Sequence, residues 1–226
     1  GAVKIVPKAA VEADAEGFGK QPIGTGPYKL ISAVPEDKIV FEHFDAYNGP
    51  RPPLAKALVW NLIADPTARV NALTSGAVMA IEDVPYIDAD MVAASATLEK
   101  AQSFGLLFAM FNTSAPPFDD LRVRQAFFYA LDMDKIIGTG MLGNATPATS
   151  FLPEGHPNYH RASVVYSHDA DKAKALLAEA GKADLPITLM STDHGWVKDV
   201  APIIKDSLDQ VGFKVTLDIG QSGGQY

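Results

Sequence analysis

The chain has 226 residues, 47% of them apolar and 20% charged, which describes a folded protein with a sizeable core rather than a disordered one. Its 27 acidic against 19 basic residues leave a net charge of −8, which argues against nucleic acid or an anionic membrane as the main partner, since both need a cationic footprint. No stretch approaches the roughly 20 apolar residues of a membrane-spanning helix, and the lack of cysteine removes disulfides, thiolate zinc sites and cysteine nucleophiles together. The opening, "GAVKIVPKAAVEADAEGFGK", has a glycine where an initiator methionine would stand, and reads as a tag remnant followed by the middle of a longer polypeptide.

The first motif in the chain is "QPIGTGPYKL". Its Gly-Thr-Gly run invites a phosphate-binding reading, but Pro27 has no N–H to offer and no Gly-Lys-Ser/Thr follows. The two glycines are expected instead to permit a tight entry into a strand, with Tyr28 packing beneath. Residues 28–44 read as two short strands around a Pro35-Glu36-Asp37 turn, and "AYNGPRPP" as a loop. Residues 56–63, "KALVWNLI", suit a buried strand. Asp65 and Pro66 then open a helix that carries Val70 and Leu73 inward and stops at Gly76, with a short strand expected over 78–81.

Residues 105–112, "GLLFAMFN", are strongly strand-like. The clearest helix follows, with Val123, Ala126, Phe127, Ala130 and Leu131 at three-and-four spacing, and Asp132 to Asp134 divide it from a second helix reaching about Leu142. Asp169 caps a helix striped by Ala173, Leu176, Leu177 and Ala180 and closed by Gly181. Two strands, "PITLMST" and "KVTLDIG", flank an amphipathic helix over 196–211 that Pro202 is expected to bend or interrupt. This alternation indicates an α/β layered domain with partly parallel pairing.

Few residues assemble recognisable chemistry. "GTGMLG" at 138–143 matches a dinucleotide fingerprint in letters only, because a helix precedes it where the motif needs a strand. His156 and His160 lie in a loop without a third ligand, His43 suits a hydrogen-bonded structural role, and no metal or cofactor is expected. The pairs Asp88/Asp90, Asp119/Asp120 and Asp132/Asp134 fall where aspartate caps helices; a hydrolase or transferase built on such pairs is the alternative reading. One stretch, "LMSTDHGWVK", delivers Ser191, Thr192, Asp193, His194 and Trp196 to a loop at a strand's end, where open α/β sheets bind ligands. There Trp196 either walls a pocket or anchors the following helix to the core.

The order of "PIGTGPYKL", "IVFEHFDAYNG", "DPTARVNALTSGAV", "RVRQAFFYALD", "GNATPATSFLPEGHP", "DADKAKALLAEAG" and "IGQSGGQY" resembles, over most of the chain, the family 5 solute-binding proteins of bacterial ABC transporters. The resemblance implies a periplasmic binding protein-like α/β fold in an incomplete two-lobed architecture, in which lobes joined by crossing strands close over a ligand. By that resemblance residues 1–60 form the tail of the first lobe and 61–226 most of the second. It implies a non-enzymatic receptor, periplasmic or at the cell surface, that captures a peptide or peptide-like solute and hands it to an ABC permease. Membrane contact would run only through the permease or a lipid anchor outside this chain. A sensor or chaperone on the same fold is the blander implication. Carried over by position, Ser191, Trp196 and Met141 face the ligand, with His194 as a neighbour. Trp196 departs from the polar residue some oligopeptide binders carry there, and Val78-Met79 stands where many members read an acidic "GEVD".

Overall fold

A computed structural model describes residues 5–193 and 195–220. The chain divides into two compact units, Gly1–Val84 and Pro85–Tyr226.

The first unit begins with two single-turn helices, α1 (Lys8–Ala13) and α2 (Ala15–Lys20), the latter capped by Asp14, whose carboxylate accepts from the Gly17 N–H at 2.9 Å. Gly24 and Gly26 take no positive φ, and a Cβ on either would meet nothing within 4 Å. The expected glycine-dependent turn is therefore absent, and Tyr28 fixes the region through its hydroxyl, which accepts from the Ala55 N–H at 3.2 Å. The hairpin forms as expected: β1 (Tyr28–Val34) pairs antiparallel with β2 (Lys38–His43), with Glu36 at φ 58° in the turn. β2 pairs in turn with β3 (Ala57–Asn61).

β3 is not the buried strand its apolar letters suggest. It forms the sheet's edge, with Val59 and Trp60 each more than half exposed. Trp60 meets Phe41 edge-on across the ladder at 5.4 Å, the kind of cross-strand pair that holds a sheet without burial. α3 (Pro66–Thr74) follows the expected chemistry closely, since Asp65 accepts from the Ala68 N–H at 2.7 Å and Pro66 occupies the first turn. Val70 is buried, and Gly76 ends the helix at φ 75°. No strand forms over 78–81, because the Val78 N–H turns back to the carbonyl of Ala72.

In the second unit a 3-10 turn (Tyr86–Asp88) leads into α4 (Ala89–Ser95). Residues 105–112 then run without ladder partners among the described residues, so the expected strand does not form. Ala109 and Phe111 still turn inward to the core while Met110 points out. α5 (Leu121–Ala130) is capped by Asp120 and buries Val123, Ala126, Phe127 and Ala130, the expected stripe. Leu131 leaves the helical conformation, and Asp132 caps α6 (Met133–Lys135), which continues as a π-turn (Ile136–Gly140).

α7 (Ala170–Glu179), capped by Asp169, lies against α5 and brings in Ala173 and Leu177. β4 (Leu185–Thr192) and β5 (Phe213–Gly220) pair in parallel, joined by α8 (Gly195–Asp209) as the crossover. Leu185 and Ile187 alternate inward from β4, and Phe213 and Val215 from β5, to meet Leu208 of α8 and the α5 stripe. Phe127 and Phe213 meet edge-on at 6.2 Å at the centre of this layer. α8 runs as one helix through Pro202, so of the expected bend or interruption the interruption does not occur.

Candidate ligand-binding site

Register sets the candidate site. In the parallel pair Ser191 lies opposite Ile219 and Thr192 opposite Gly220, and β4 passes through Asp193 toward α8. Crossover connections of this kind put loops at the carboxyl ends of strands, where open α/β sheets receive ligands. Ser191 is half-buried at that end, and its hydroxyl donates to the carbonyl of Thr192 at 3.2 Å. His194 lies outside the described residues.

Trp196 stands on the first turn of α8, and Val200 follows one turn later on the same face. Trp196 is half-buried and packs against a small core formed by Ile136, Met141 and Val200, which Tyr86, Met133, Ala145 and Ile203 also border. The structure thus brings Trp196 and Met141 to one place. Met141 is only 8% exposed there, so its side chain is part of this core. Of the two readings of the tryptophan, the contacts with this core bear out the anchor. Tyr86 and Met133 join this cluster without any signal in the sequence, because their positions follow from how distant segments pack.

The remaining candidates go elsewhere. The "GTGMLG" run spans the π-turn and the bend after it, with no strand before it. His156 accepts from the Asn158 N–H through Nδ1 at 3.0 Å and meets Phe104 edge-on at 5.4 Å, while His43 pairs with Asp45 at 3.1 Å. Among the described residues no three acidic or histidine side chains cluster as a metal site. Of the aspartate pairs, Asp120 and Asp132 are committed to caps, and Asp88 makes no side-chain cap bond. Asp120 is further gripped by Arg122, whose Nη2 donates at 2.6 Å. That hydrogen bond, with the Arg122 N–H, holds its carboxyl down at about 2.

Residues 2–226 match the sequence profile described as bacterial extracellular solute-binding proteins, family 5, middle. The chain belongs to this family. Its members are solute-binding proteins rather than enzymes, which sets the aspartate-pair hydrolase aside. The glutathione-binding protein GsiB of Escherichia coli K12 is 29% identical over 231 residues, covering 99% of this chain and 45% of that protein. Among solved structures, AgaA of A. tumefaciens R10 in complex with agropinic acid is 30% identical with a TM-score of 0.78, over 96% of this chain and 45% of that one. DppA of Helicobacter pylori, in complex with the peptide STSA, gives a TM-score of 0.84 at 24% identity over 98% of this chain and 44% of its own, and bears on the fold alone. The chain spans about half the length of the relatives it matches. No described helix is long and apolar enough to cross a membrane.

Proposed function

We propose that this chain is part of the receptor of an ABC importer, a periplasmic or cell-surface protein that holds a peptide or peptide-like solute between two lobes and delivers it to its permease. The family match over residues 2–226 carries the reading. Two relatives narrow it: one is named for binding glutathione, a small peptide, and the other was solved with agropinic acid, an amino-acid-derived acid. In this reading residues 1–60 belong to the first lobe and 61–226 to the second. The ligand lies at the carboxyl end of β4, with Trp196 as an apolar wall, Ser191 and His194 as polar neighbours, and Met141 in the core against which Trp196 packs. Capture would proceed by closure, the ligand stabilising the closed arrangement by its differential contacts with it.

The test uses the full-length protein. Native mass spectrometry identifies any co-purifying solute, and small-angle scattering is recorded with and without it. A ligand-dependent fall in the radius of gyration is expected. Scattering unchanged by peptide, opine, oligosaccharide and metal-chelate pools alike would sink the proposal.

A further inference from the structure

The run Gly138-Thr139-Gly140-Met141-Leu142-Gly143 is unexplained by phosphate chemistry, and its glycines sit in unlike surroundings. A Cβ on Gly138 would meet nothing within 4 Å. The same atom on Gly140 would lie 2.8 Å from Cγ1 of Val200 and 3.0 Å from Cδ1 of Ile203, with the Val200 Cα itself at 3.5 Å. Val200 is 1% exposed and belongs to the core cluster, so it has no room to withdraw. Gly143 takes φ 77° and owes its identity to the backbone alone.

We propose that Gly140 is a positioning residue for the ligand site: its missing side chain lets the π-turn seat directly on α8, which fixes the indole of Trp196. The inference rests on the reading that Trp196 lines that site. Trp196, Val200 and Ile203 recur at four-and-three spacing on one face of α8, and Gly140 presses on the last two. Met141 follows at once, its N–H donating to the Ile137 carbonyl at 3.2 Å, and its side chain enters the cluster against which Trp196 packs. A methyl group at 140 therefore moves the first turns of α8 away from the π-turn, and Trp196 moves with them. A methyl at 138, in the same turn, moves nothing.

The test compares Gly140→Ala with Gly138→Ala in the 226-residue chain carrying Trp60→Phe, which leaves Trp196 as the single tryptophan. Both changes add one methyl to the same turn, so their effects on helix propensity match. Gly140→Ala is expected to raise acrylamide quenching of Trp196 about twofold with a red-shifted emission, and Gly138→Ala to leave both at the parent value. Adding Val200→Ala to Gly140→Ala opens the missing space and should bring quenching back toward the Val200→Ala level, a non-additive result. If Gly140→Ala fails to fold, recovery of circular dichroism in the double variant reads the same coupling. Equal quenching in the two alanine variants, or a double variant no better than the single one, overturns the proposal. In a second arm, calorimetric titration of the full-length protein with reduced glutathione should show about a tenfold higher Kd for Gly140→Ala and none for Gly138→Ala. Equal affinities in Gly140→Ala and the parent would also overturn it. A parent that ignores glutathione counts against the proposed ligand class, and the quenching pair then decides the positioning role.

Discussion

Asp120 ends the loop before α5 by two means at once. One oxygen accepts the Arg122 N–H at 2.8 Å, and the carboxylate also takes the guanidinium of the same residue. The side-chain hydrogen bond is the largest cause of its depressed pKa, from 3.8 to about 2. A carboxyl depressed on folding contributes stability that is complete above its unfolded value and lost as pH falls toward its folded one. We therefore expect the urea midpoint of the parent to exceed that of Asp120→Asn at neutral pH, with the gap closing between pH 3.8 and about 2. A gap that persists unchanged through that window would assign the difference to the cap geometry rather than to the charge. This residue was legible in the sequence, as were Asp65, Asp132 and Asp169, because capping is decided within three or four positions. Met141 was not: its burial depends on the seat that Gly140 makes against α8, two segments far apart in the chain.

At the scale of the element, α8 shows how exposure decides the effect of a local rule. Pro202 removes one N–H from the helix and frees the carbonyl of Lys198, yet both residues lie on the exposed face, where water can take the carbonyl. The helix therefore continues. Its far end is tied to β5 through Asp209: burial works to raise this carboxyl, but the hydrogen bonds from Lys205 and from the Val215 N–H outweigh it, and the group sits below its ordinary value. With its carboxyl end held and its middle solvated, the helix gains from a restored hydrogen bond. Pro202→Ala is expected to stabilise the chain by about 1–3 kcal/mol, read from urea unfolding at constant slope. A loss of stability would show that the proline shapes a bend on which the packing depends. α3, α5, α7 and α8 were legible from caps and stripes, and the β1–β2 hairpin from its turn, whereas the short α1, α2 and α4 were not expected. The strand expected at 105–112 does not form, because a strand is completed by a neighbour that its own residues do not specify.

On the scale of the whole chain, apolar surface and charge oppose one another. Phe104, Phe108 and Met110 are 68%, 62% and 83% exposed along one segment, whose backbone forms no ladder among the described residues. Such a segment offers both an apolar strip and unpaired edge groups, the two ingredients of edge-to-edge association. The net charge of −8 works the other way, since like-charged chains repel until salt screens them over about 10 Å at 0.1 M. Association of the 226-residue chain should therefore grow as ionic strength rises, the opposite of what an interface held by ion pairs would do. Sedimentation velocity across a salt series reads the trend directly. Met110→Lys places a charge on the exposed side of the segment without touching Ala109 or Phe111, which face the core. It should lower association at every salt concentration while leaving the circular dichroism spectrum unchanged. If parent and variant sediment alike throughout, residues 105–112 are not the adhesive segment. If association falls with salt instead, it runs through charged contacts elsewhere on the surface.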